Sequence, residues 1–260
     1  MDIHKPKSWH SAREFLKEYA IVVVGVLTAL GAEQTVEAFH WRHKVAEAEQ
    51  AMRLELLDDD LPQAFTRLAV SACVDGDLNA VDDALDAGRP RPEVAALAHR
   101  VRLPIRTWDM EAWRAALAGD VASHMSSERM IGWSDPYRVI PAMDQVNRRE
   151  TELLGDLQAG GRRPGDLTDA ERERISVAVE QLRNTRRAMS VWSQVLMATA
   201  AERGLIMTAT RKAEILAQLR GAYGVCVKAP PRESEFDLGS TTGALDSTDG
   251  RMPAPRKEAQ

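Results

Sequence analysis

The hydrophobic positions of this chain change rhythm along its length. From Tyr19 to Ala32, fourteen residues run without a charge or a proline. Phe15 and Leu16 extend the apolar stretch to Phe15–Ala32, interrupted only by Lys17 and Glu18. From Val45 onward the run gives way to three-and-four spacing at Val45, Ala48, Met52, Leu56 and Leu57, which marks an amphipathic helix with one apolar stripe. After Lys228, large apolar side chains become sparse among Pro, Ser, Thr, Gly and charges. Such a segment buries too little surface to offset its ordering entropy, so 228–260 reads as a disordered tail.

No proline occurs between Pro6 and Pro62, so one helix is predicted from about Ser8 to Asp60, with Pro62 kinking or restarting it. Asp58, Asp59 and Asp60 would suit the positive end of the restarted helix. A second helix is expected over Leu61–Ala87, and a third from Pro92 to about Leu103 with proline at its first position. Thr107 is expected to cap a fourth through Leu117. Asp135 before Pro136 reads as the start of the next, reaching Leu157, with Pro141 a possible kink and Gly160–Gly161 its end. Thr168 and Glu171 fit a capping box opening a long helix. Its stripe is Ile175, Val179, Leu182, Met189, Trp192, Leu196 and Ala200, continuing past Gly204 towards Tyr223.

The fold class that follows is all-α: a single N-terminal transmembrane helix continuing into a bundle of four to six helices. The domains are a short cytoplasmic lead (1–14), a transmembrane helix (15–32), an extracytoplasmic α-helical domain (33–227) and the tail (228–260). The two long elements, the stalk with its continuation and 168–223, are expected to pack antiparallel. Abundant Ala, Leu, Arg and Glu and only 5% aromatics favour helices over strands.

The apolar run admits three readings. Eighteen residues cover about 27 Å, close to the roughly 30 Å hydrocarbon core, which favours a membrane anchor. Trp9 and Trp41 flank it as interfacial aromatics would. Ala29–Gly31 carries small residues where a signal peptidase cuts, so a cleaved export signal before Ala32 is the second reading. The third is a soluble cytosolic helical protein with residues 19–32 as core. Four basic residues precede the run (Lys5, Lys7, Arg13, Lys17) and Arg42 and Lys44 follow, a bias towards a cytoplasmic N-terminus.

The stretch "REFLKEYAIVVVGVLTALGAEQTVEAFHWR", followed by "LELLDDDL", resembles the N-terminal signature of a bacterial family of membrane-anchored proteins of unknown function. The similarity covers roughly the first 65 residues. It implies a single-pass inner-membrane anchor with a helical periplasmic part. It implies no activity, and it carries no site residues over.

The net charge of −5 argues against a nucleic-acid partner, which a basic stripe would announce. Between Val45 and Pro90 there are eleven acids against Arg53, Arg67 and Arg89, read as a solvated face or an acidic docking surface. Cys73 and Cys226 are the only cysteines, and outside the cytoplasm they could form a disulfide; separate buried thiols are the alternative. Glu37, His40 and His43 are metal candidates by helical spacing, although such a site needs further carboxylates and the alternative is a polar interfacial turn. Asp120 and His124 form an i,i+4 pair read as structural. Gly25, Ala29 and Ala32 form a small-residue face that could pair with another span. Trp108, Trp113 and Met110 read as core, and Arg183, Arg186 and Arg187 as a solvated face or an anion site.

No phosphate loop, Gly-x-Ser-x-Gly, His-Glu-x-x-His or paired Cys-x-x-Cys is present. The reading is therefore a single-pass interaction or structural protein rather than an enzyme, with no catalytic residue or cofactor assigned. Its partners are the lipid bilayer and another membrane or periplasmic protein or a second copy of itself. An exported or anchored metal-dependent enzyme is the alternative.

Overall fold

The computed structural model describes residues 12–159 and 165–236, and every regular element among them is helical. Helix α1 (Ala12–Glu55) runs unbroken through the apolar stretch and the stalk, then passes through a π-helical turn at Leu56–Asp60 into α2 (Leu61–Ala69). The expected break at Pro62 does not occur. The Leu61 N–H reaches back five residues to the Leu56 carbonyl, and Pro62 falls in the first turn of α2, where its missing donor is tolerated. Phe15–Ala69 is thus one rod of 55 residues, about 80 Å long. The lead upstream of Ala12, with Trp9, lies outside the described residues.

The second helix expected over 61–87 is divided at Val70 (φ −94°, ψ 0°) into α2 and α3 (Ser71–Asp86). Helix α4 (Arg91–Arg100) starts with Pro92 in its first turn. It stops before Val101, and 101–110 crosses the bundle without helix. Helix α5 (Glu111–Ala118) begins after Met110 rather than at Thr107, because the Glu55 carboxylate from the stalk accepts the Ala112 N–H at 2.9 Å. A 3-10 turn at Val121–His124 follows. Helix α6 (Ser127–Tyr137) is capped by Ser126, whose hydroxyl accepts the Arg129 N–H. Pro136 therefore closes this helix instead of opening the next, and Pro141 sits at the start of α7 (Ile140–Ala159), where it makes no kink.

Helix α8 (Asp169–Glu202) has the expected capping box: Glu171 accepts the Thr168 N–H at 3.0 Å, and Thr168 Oγ1 accepts the Glu171 N–H at 3.3 Å. It does not run on to Tyr223. Gly204 takes φ +72°, and the chain restarts as α9 (Ala209–Tyr223) under a Thr208 cap. The bundle therefore has more, shorter segments than four to six.

The main partner of α8 is α7, packed antiparallel to it, followed by α2. The stalk's continuation thus meets α8 as expected, but α7 is the larger partner. Two apolar cores result. One gathers Met52, Leu56, Phe65, Trp133, Tyr137 and Leu196 around the stalk. The other gathers Val74, Leu78, Val81, Leu153, Val179 and Leu182 at the far end. The α8 stripe is buried as its spacing predicts, with Trp192 partly so.

Residues 228–236, expected as part of a disordered tail, are held against the bundle. The Lys228 N–H donates to the Ala69 carbonyl at 3.1 Å, Lys212 pairs with Glu233 at 2.6 Å, and Phe236 packs on the stalk-side core. The remaining 237–260 lies outside the described residues.

Candidate functional site

The apolar stretch is exposed along its length. No part of its apolar window is buried by the rest of the chain, and Leu16, Ile21, Val22 and Leu27 are each more than 60% exposed. The bundle does not use residues 19–32 as core. Gly25, Ala29 and Ala32 are exposed, and a Cβ added at Gly25 would meet nothing within 4 Å. At about 100° per residue this small face lies on the side of α1 opposite Val45 and Met52, which bury into the bundle.

Where the stalk meets the bundle, Trp41 stacks on His124 with ring centroids 3.7 Å apart. A groove of about 440 Å³ opens there, lined by Glu37, Trp41, Arg42, His124 and Arg129 among others. Asp120 takes a left-handed conformation (φ 57°) before the 3-10 turn, so Asp120 and His124 do not share a helix face. The three metal candidates do not converge. Steps of three on a helix accumulate about 60° of rotation each, so Glu37 and His43 diverge. His43 instead pairs with Glu47 at 3.1 Å, and His40 meets Trp41 edge-on. Among the described residues no group of three or more His, Cys, Asp or Glu side chains is placed to hold a metal ion.

About 28 Å beyond Trp41 along the rod, at about 1.5 Å per residue, the π turn buries an acid. Asp60 is 1% exposed; its Oδ1 accepts the Asp109 N–H at 3.2 Å, and its Oδ2 is buried with no partner. Burial pushes its carboxyl up to about 8, with Glu55, Asp109 and Asp59 acting in the same direction against the Asp109 hydrogen bond. Glu55 closes the junction on the other side: it accepts the Tyr137 hydroxyl at 2.7 Å and the Ala112 N–H. Tyr137 stacks on Trp113, and burial first, then Glu55, holds its phenol far above the ordinary range. Trp108 is core as expected, and its indole N–H is buried without a partner.

Between the two apolar cores lies a buried ionic group. Arg67 on α2 reaches Glu150 and Asn147 on α7, each at 2.5 Å. Burial pushes the Glu150 carboxyl up, opposed by Arg67 and Arg186. The acidic stretch and the arginine triple are partly engaged with each other, while Asp58, Asp59, Asp83, Asp86 and Arg187 are exposed. Arg183 pairs with Asp82 at 2.5 Å and Arg186 with Asp75 at 2.6 Å, which clamps α8 to α3, while Asp77 pairs with Arg100. Arg187 donates to Asn184 on its own helix.

No family model, curated protein or solved structure matches this chain. At the far end a disulfide joins Cys73 in α3 to Cys226 beyond α9, with Cα atoms 5.1 Å apart. It ties the chain after its last long helix back to the top of the rod. The sequence offered this pair directly. Asp60 and the Arg67–Glu150 pair carried one available signal, a charge at a position of the apolar stripe.

Proposed function

We propose that this chain is a single-pass membrane protein of the bacterial inner membrane whose helical bundle works outside the cytoplasm as an interaction or structural domain. The observation that carries the reading is the bare apolar helix. An 18-residue, predominantly apolar stretch that the chain itself does not bury finds in lipid the apolar solvent that water cannot supply. The Cys73–Cys226 disulfide supports the extracytoplasmic side, since such bonds persist in oxidising compartments. The flanking basic residues favour the same orientation.

In this reading α1 is both anchor and spacer. Helix continuity from Ala32 to Glu55 fixes the bundle's height above the bilayer, because no loop intervenes to let it swing. The chain is then akin to the anchored proteins its N-terminus resembles. A membrane partner, or a second copy, would meet the span on the face that the bundle leaves open.

Two reporter fusions after residue 60 test the topology, one active only in the periplasm and one only in the cytoplasm. Activity of the periplasmic fusion alone is expected, and activity of the cytoplasmic one alone would overturn the orientation. Release of the intact protein into the supernatant on alkaline carbonate extraction would overturn the anchor itself.

A further inference from the structure

The junction of stalk and bundle contains an acid where an acid is costly: burial and the neighbouring carboxyls disfavour its ionisation, opposed by the Asp109 N–H. Asp60 is fully buried on the π turn, and one of its oxygens has no partner. The groups that face it are Glu55 from α1, Asp59 from its own turn, Asp109 from the 101–110 segment and Tyr137 from α6. All four are acidic, and no cation acts on it. A buried carboxylate in that company is disfavoured by desolvation and by repulsion together, whereas a buried neutral carboxyl is not.

The site is also mechanically central. The Asp109 N–H, held by Asp60, and the Pro104 carbonyl, held by Gln63 Nε2 at 2.5 Å, fasten the 101–110 segment across the rod. Glu55, five residues before Asp60, fastens α5 and α6 through Ala112 and Tyr137. The π turn places these two carboxylates together at the one point where the rod departs from α-helical spacing.

We propose that Asp60 is a proton-operated latch: the closed junction holds a proton on Asp60 that the opened junction releases, so acid tightens the stalk joint and alkali loosens it. Opening means withdrawal of the 101–110 segment from the π turn, which brings Asp60 into water as a carboxylate. The proton leaves to solvent, and no other bond changes. The inference does not depend on where the stalk is anchored.

The sign follows from linkage. An opened Asp60 has its ordinary value of 3.8 and the closed one about 8. The closed form therefore holds one more proton between these values. The opening constant should rise about tenfold per pH unit across that window and level off above it.

Hydrogen exchange of the intact chain in detergent micelles, from about pH 5 to about pH 9, reads this directly once each rate is divided by its intrinsic rate. Amides of 101–112 are expected to lose protection about tenfold per pH unit up to about pH 8, and Asp60→Asn is expected to abolish that slope. A pH-independent wild type, or an unchanged slope in Asp60→Asn, would overturn the latch. Should Asp60→Asn fail to fold, the infrared spectrum of wild type with 13C-labelled aspartate decides. A labelled protonated-carboxyl band that titrates away near 8 supports the proposal, and its absence at neutral pH refutes it.

Discussion

Cutting the Cys73–Cys226 bridge tests both how the far end of the bundle is held and where the bundle resides. The bridge closes a loop of sequence separation 153. In the loop-entropy relation that length constrains the unfolded chain by about 5 kcal/mol, at the top of the range that real disulfides deliver. Non-covalent contacts at the same place would survive the cut. Val227 stays buried and the Lys228 N–H keeps the Ala69 carbonyl, so the native state should hold its shape while losing stability. The perturbation is Cys73→Ala with Cys226→Ala, compared with wild type with and without a reductant. The assay is urea unfolding of the full chain in micelles, followed by circular dichroism. A loss of about 2–5 kcal/mol is expected, with reduced wild type coinciding with the variant. For a domain of this size that is a fall of about 2–4 °C in melting temperature for each kcal/mol. Equal midpoints in all samples would refute the loop argument. Two thiols reacting with maleimide in unreduced, unfolded protein would show that no bridge forms in the cell, and the extracytoplasmic placement would lose a principal support.

Arg67→Ala should cost about 3–5 kcal/mol, because it strands Glu150 in the interior, whereas Arg67→Met combined with Glu150→Leu should recover most of it; chemical unfolding of the three variants checks this, and equal losses for single and double would refute it. Glu171, held near 2 by Arg91 first and then by the Thr168 hydrogen bonds, has a folded value below its ordinary 4.5. Its stabilising effect is full above 4.5 and fades as pH falls towards 2, so Glu171→Gln should flatten that part of the acid unfolding curve. Gly132 leaves room for the Arg203 guanidinium, which lies 4.6 Å from the Trp133 ring centroid and would sit 1.9 Å from a Cβ there. Gly132→Ala should therefore push Arg203 aside, trading about 0.5–1 kcal/mol of cation–π contact for a similar gain in helix propensity. Stability should stay within about 1 kcal/mol of wild type, and Arg203→Ala should become neutral in that background; a double-mutant unfolding cycle measures it.

The helices were legible wherever a local rule decides the outcome. The capping box at Thr168, the apolar stripe of α8 and the uninterrupted stalk each follow from interactions within a few residues of chain. The failures share one cause, which is that a tertiary partner replaces the local signal. Thr107 looks like a cap, yet the first turn of α5 receives its acceptor from Glu55, fifty-odd residues away. Asp135 before Pro136 looks like a helix start, yet Ser126 had already opened that helix and the proline closes it. Pro62 looks like a breaker, yet a π turn absorbs it. The acidic stretch from Val45 to Pro90 looks like a solvated or docking face, and Asp58, Asp59, Asp83 and Asp86 are exposed, but Asp82 and Asp75 find partners in Arg183 and Arg186, a hundred residues downstream on α8.

The same logic explains why the most informative residues were the hardest to see. Met143, Asn147, Glu150, Leu153 and Leu157 share one face of α7 by three-and-four spacing, and all five are buried. A carboxylate on that face is either an error or a partner for a buried cation, and Arg67 occupies the corresponding place between Ala64 and Val70 on α2. Asp60 follows the same rule with the opposite resolution. It too sits among buried neighbours, but its surroundings are carboxylates and a phenol instead of an arginine. One buried acid is therefore neutralised by a charge and the other by a proton. The proton on Asp60 makes the closed structure sensitive to pH through the neutral range, and Asp60 stands at the joint through which any motion of the bundle would reach the stalk.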